Sequence, residues 1–345
     1  MRSNRSQAPR LAGPALRISL LLALMPLAGT PAKANDSAAE LSVGGLVFTR
    51  SSEVSLDSEE LTITPDRVVV RYRFVNSTPN PITLTVGFPF PDIDLSDDGN
   101  LAIPTDDPQN FMAFATKVDG KRIDFKIHQT AHLGNKDVSA ALRKAGVPLL
   151  PIGAQQVRLT ELAQPIRDDL VERGLLLRVG TDDRGQQLYS GGWTVKTAAV
   201  RRQTFPPQVP VAVEHRYRTS LGVSFDTVLR KGLRENPNLA AEVRRYRTDY
   251  CITDAFLARL DKLAGSDEAN TRKIEERRIA YVLKTGANWA GPIKDFRMIV
   301  DKQKPDRLVS FCADDIKPIT SSAFEVRAKD FVPSRDLKIL IVGRF

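Results

Sequence analysis

Two segments far apart in the chain alternate apolar and charged residues with a period of two. Val68–Phe74 reads VVVRYRF, with Arg71 and Arg73 facing one way and Tyr72 and Phe74 the other. Between Val209 and Tyr217, the residues Val211, Val213, His215 and Tyr217 share one face, and Glu214, Arg216 and then Arg218 share the opposite one. Successive side chains of a strand point to opposite sides, so each segment is expected to bury one face of a sheet and hydrate the other. The fold is therefore expected to be mainly β with α insertions.

Other segments extend this reading. Leu46–Phe48, Val54–Ile63 and Ile82–Phe88 read as strands, with a turn cluster at 76–81 and stops at Pro89 and Pro91. Asp119-Gly120 is a strong hairpin signal, expected to join Phe111–Val118 to Lys121–Gln129. These strands predict a β-sandwich-like N-terminal domain over 35–225, with a helical insertion at about 135–175. The insertion holds one helix ending near Lys144, before Gly146 and Pro148, and another from Pro165 to Glu172, closed by Gly174. Residues 226–345 read as a helical segment, with helices over Leu239–Tyr250 and Asp254–Leu263, followed by a C-terminal β domain. That domain contains Tyr281–Cys312, which reads as strand, tight corner, strand and strand, and then Phe324–Ala328 and Leu337–Val342.

The first 34 residues stand outside the fold argument. Arg2, Arg5, Arg10 and Arg17 precede an apolar run from Ile18 to Ala28, and Ala32-Lys33-Ala34 supplies small residues at a cleavage site. This predicts a signal peptide over 1–34, cleavage after Ala34, and a periplasmic or secreted protein. The apolar run is too short to span a bilayer, which needs about 20 residues, and no transmembrane segment is expected after cleavage. Residues 1–34 carry five of the 50 basic residues and no acid, which leaves 45 basic against 41 acidic residues. The remaining excess is small and gives no reason to expect a nucleic-acid partner. In an exported chain the two cysteines, Cys251 and Cys312, are expected to form a disulfide.

The residues that could carry chemistry are sparse. His128 and His132 are four apart, but on a strand rather than a helix, and lack the glutamate of a metalloprotease motif. His215 and Tyr217 lie on the apolar face of their segment, where a core role is the simpler expectation. Asp94, Ser96, Asp98 and Gly99 match the first half of a calcium-binding loop, but Thr105 stands where its closing glutamate belongs. Adjacent carboxylates such as Glu59-Glu60 point apart on a strand and are expected to be solvated. The basic run Arg244-Arg245-Tyr246-Arg247 reads as the polar side of a helix. There is no Gly-x-Ser-x-Gly elbow and no Walker-type lysine motif. No metal or cofactor is expected. Trp289, between Gly286 and Gly291-Pro292, is expected to pack a corner onto the core, with ligand stacking as its other reading.

Several of these segments occur in a recognisable order. Gly44-Gly45-Leu46, Phe88-Pro89-Phe90-Pro91-Asp92, Phe205-Pro206, Val213-Glu214-His215-Arg216-Tyr217 and Asn288-Trp289-Ala290-Gly291-Pro292-Ile293 span nearly the whole chain after residue 34. In this order the chain resembles the bacterial family known as domain of unknown function 4424. The resemblance implies export and implies no activity. The expected function is that of an exported envelope protein, a non-catalytic binding or assembly module whose partner is an envelope protein or ligand. The alternative is a metal-dependent or His/carboxylate hydrolase using His215, or His128 and His132, with Glu214 or Asp124.

Overall fold

The structure is a computed structural model, which describes residues 37–345 apart from 43–44, 97–100, 220 and 266–273. The expected signal peptide and the Asp98-Gly99 part of the calcium-like loop lie outside these residues.

Three sheets carry the fold. In the largest, of eight strands, the order across the sheet is Lys317–Pro318, Ala323–Phe331, Ile293–Asp301, Val54–Ile63, Arg67–Asn76, Val211–Arg218, Ala115–Val118, Lys121–Ile123. All its neighbours are antiparallel except Ile293–Asp301 and Val54–Ile63, which run parallel with Phe296 opposite Glu59. The expected boundary near residue 225 thus runs through one sheet, because strands from both sides of it are hydrogen-bonded neighbours. A local pattern encodes which face a strand buries but not which distant strand it pairs with.

The seven-stranded sheet has Lys126–Leu133, Thr194–Phe205 and Ile82–Pro89 at its middle. A five-stranded sheet contains Leu308–Phe311, Leu337–Gly343 and Glu275–Tyr281. Asp119 and Gly120, at φ 48° and 79°, make the expected hairpin turn. Its second strand stops at Ile123, however, and Asp124-Phe125 carries the chain into the seven-stranded sheet, where it resumes as Lys126–Leu133.

The two expected helices of the insertion are Ser139–Lys144 and Gln164–Glu172. A further helix, Ala154–Glu161, and a hairpin of Leu176–Thr181 with Gln187–Gly191 complete the region. Buried Trp193 ties the insertion to the sheet by donating from Nε1 to the Leu149 carbonyl at 2.7 Å.

The inner face of the large sheet carries the alternating residues read from sequence. Val70, Tyr72, Phe74, Val213, His215 and Tyr217 are all buried, and Phe88 of the seven-stranded sheet packs against His215 at a centroid distance of 5.0 Å. The helices Ala240–Asp249 and Asp254–Ala264 form a second core with Leu340 and Val342 of the five-stranded sheet. The basic run lies on the first of them, where Arg245 pairs with Glu242 and Arg247 with Asp254.

Cys251 and Cys312 are joined, linking the turn between those helices to the end of the Leu308–Phe311 strand. Beside the bond, Ser310 Oγ donates to the Tyr250 carbonyl at 2.8 Å. Closing a loop across a sequence separation of 61 removes unfolded-chain entropy. Replacing both cysteines by alanine is expected to lower stability by up to about 4 kcal/mol in urea unfolding. A loss under about 1 kcal/mol would show that the linkage contributes little.

Candidate functional site

The residues singled out for chemistry fall in different places. His215 is 0% exposed and is packed among Tyr72, Phe88 and Phe114, with ring centroids 5.6, 5.0 and 5.0 Å away. Tyr217 is buried beside Phe88 and Phe114, and burial together with the Glu59 charge pushes its phenol well above the ordinary value. Trp289 is 3% exposed and packs on Phe74 at 4.6 Å and Phe205 at 6.0 Å. All three residues belong to the core between the sheets.

One carboxylate departs from its sequence reading. Glu60 faces out, but Glu59 is 1% exposed. The reason is a bulge between Leu56 and Ser58, which shifts the alternation so that Leu56, Glu59, Leu61 and Ile63 share the inner face. Tyr281 Oη donates to Glu59 at 3.4 Å, and the Tyr281 and Tyr72 hydroxyls are 3.3 Å apart. A second buried carboxylate, Glu276, accepts from Tyr246 Oη at 2.7 Å and pairs with Arg278.

The remaining candidates lie on outer surfaces. Glu214 faces out from the large sheet, held by Arg71 and Arg216 at 2.8 Å each, and these partners lower its carboxyl against the opposing effect of burial. His128 and His132 share a strand of the seven-stranded sheet, and His132 Nε2 is 3.0 Å from Thr130 Oγ1. Among the described residues no group of three or more His, Cys, Asp or Glu is placed to hold a metal ion. Asp94, the first member of the calcium-like loop, instead accepts from the Ser96 amide and hydroxyl at 2.9 and 2.7 Å.

The strands around His128 form an open cleft of about 750 Å³. In register, Lys126 lies opposite Val200, His128 opposite Ala198, and Thr85 opposite Arg202, which sets these side chains on one sheet face. Asp124, at the corner where the chain changes sheets, also lines the cleft. The cleft offers Val200 on that face and Phe125 and Ile127 beside it as apolar surface, and Lys126 and Arg202 against the single carboxylate of Asp124 as charge. An apolar floor with a few oriented charges is the usual form of a small-molecule site. Sequence reading placed Asp124 and His128 in one hairpin strand. It could not show the cleft, which depends on the turn between sheets.

The chain belongs to the family described as Domain of unknown function (DUF4424), whose model matches residues 34–340. No curated protein matches it. Among solved structures it is similar to a crystal structure from Legionella pneumophila subsp. pneumophila, of a protein described provisionally as nutrient binding. The TM-score is 0.40 and the identity 14%, over 89% of this chain and 72% of that one.

Within the cleft, burial and then the Arg143 charge lower the His128 imidazolium below its ordinary value, with Asp137 opposing. The folded state therefore binds the proton less readily than the unfolded chain. Its contribution is neutral above the unfolded value of about 6.5 and becomes destabilising as pH falls through it. Proton NMR titration should place the His128 midpoint below that value. A midpoint at or above it would contradict the partly desolvated setting described.

Proposed function

We propose that the chain is an exported, non-catalytic binding module of the bacterial envelope, periplasmic or secreted, that takes a small amphipathic ligand at the Asp124–His128 cleft. The observation that carries this reading is the cleft itself, with Val200 between Lys126 and Arg202 on one sheet face and Phe125 and Ile127 as further apolar lining. Such a surface holds a ligand by desolvating its apolar part and orienting its anionic part. The hydrolase alternative has less support, because its residues are dispersed. His215 is in the core, Glu214 is on the outer face of the large sheet, and His128 and His132 are on the other sheet. Export is supported by the basic and apolar pattern of residues 1–34 and the cysteine pair.

The test uses the protein made with its own leader and recovered by osmotic shock. It should begin at Asn35 and bind anilinonaphthalene sulfonate saturably, with a rise in fluorescence. Val200→Trp, which fills the cleft from an outward-facing position, should weaken that binding about tenfold or more, equivalent to roughly 1.4 kcal/mol. An uncleaved protein retained in the cytoplasm would refute export. Unchanged probe affinity in the variant would refute the cleft.

A further inference from the structure

A second cleft, of about 450 Å³, lies between the Asp254–Ala264 helix and residues 302–310. Three cationic side chains line it: Arg259, Lys302 and Arg307. Lys302 and Arg307 are each only 5% exposed, whereas Arg259 is exposed at the rim. Among the described residues, the ion pairs nearby join Arg234 to Asp261, Arg277 to Glu275 and Lys338 to Asp249, and none includes any of the three. The Lys302 ammonium donates to the Pro305 carbonyl. Arg307 Nη1 donates at 3.3 Å to the Lys302 carbonyl and at 3.4 Å to Gln303 Oε1, but its Nε has no hydrogen-bond partner.

Asp306 and Asp301 act on Lys302, and Asp306, Asp66 and Glu275 on Arg307, only through space and not in a direct ion pair. Burying cations so incompletely paired is costly, and so is leaving a buried N–H unpaired. Two further features point the same way. Arg307 is stacked on the Phe345 ring, its guanidinium carbon 3.8 Å from the centroid, with Arg277 at the same distance, so the group is held in place rather than free to turn to solvent. The first turn of the Asp254–Ala264 helix, capped by Thr253 accepting from the Phe256 amide at 3.1 Å, also lines the cleft, and its dipole adds positive potential. Burial lowers the Lys302 ammonium and Arg259 reinforces it, and the opposing Asp306 and Asp301 do not offset them. Phe256 and Phe324 supply apolar wall beside these groups, in a volume larger than a bare oxyanion needs.

We infer that this cleft binds the phosphate group of a small phosphomonoester, with Lys302 and Arg307 as buried donors and Arg259 closing on the anion from the rim. Charge-assisted bonds from guanidinium and ammonium to phosphate are the strong ones, and Arg presents the planar fork that suits phosphate. The inference is independent of the Asp124–His128 cleft, which lies on a different sheet.

The experiment is isothermal titration of the purified protein with inorganic phosphate and, separately, glycerol 2-phosphate, at constant ionic strength with chloride as reference. Saturable binding of either supports the site. Tighter binding of the ester assigns it to esters, and equal affinities assign it to free phosphate. Arg259→Gln, an exposed change that leaves folding alone, should weaken binding about tenfold, and Lys302→Met should weaken it about a hundredfold. Val200→Trp should leave it unchanged, which separates this site from the first. No saturable binding of either anion, or unaltered affinity in Arg259→Gln, would overturn the inference.

Discussion

The fold depends on how the Val54–Ile63 strand is covered. It lies between Arg67–Asn76, its sequence neighbour, and Ile293–Asp301, more than two hundred residues away, and on its inner face it carries a buried carboxylate. A carboxylate taken out of water is tolerated only with hydrogen-bond donors or charge partners around it. Glu59 receives the Tyr281 hydroxyl, which is also within reach of Tyr72. Tyr281 belongs to the five-stranded sheet and Tyr72 to the large one, so this polar contact sits where two sheets meet. Around it lie Phe74, Phe88, His215 and Tyr217, which bring the seven-stranded sheet into the same core. Because the distant strand is its hydrogen-bonded neighbour, both halves of the chain contribute to one sheet.

The outer face of the same sheet shows the other half of the alternation. Arg327, Glu325, Arg297, Glu60, Arg71, Glu214 and Arg216 form a continuous row of ion pairs across five strands. Exposed pairs of this kind contribute little individually, typically about 0–1 kcal/mol. Their larger effect is on register, since a slip of one residue would turn the row into the core and the aromatic residues into water. Glu325, held by Arg327 and Arg297, has its carboxyl lowered to about 2, so this member of the row stays charged through ordinary acid conditions.

Much of this was legible in the chain. The alternation at Val68–Phe74 and Val211–Arg218 identified the inner face residue by residue, including His215 and Tyr217, and the glycine-proline corner around Trp289 pointed that residue to the core. The cysteine pair and the main helices were readable from composition and capping signals. Three things were not. The bulge at Asp57 reverses the expected face of Glu59, and a bulge leaves no fixed mark in a period-two pattern. The parallel partner of Val54–Ile63 is chosen by packing over a long sequence distance. The two clefts arise where the chain changes sheets at Asp124-Phe125 and where a helix crosses the 302–310 segment, both consequences of topology.

The proposed function follows from this partition: His215, Tyr217 and Trp289 are packed in the core, whereas His128 lines a cleft on an outer surface. The three histidines report on it directly. Diethyl pyrocarbonate modification of the native protein, mapped by mass spectrometry, should label His128 and His132 readily and leave His215 protected until the chain unfolds. Labelling of His215 in the native state at a rate similar to that of His128 would contradict the account, because it would put the imidazole within reach of solvent and substrate.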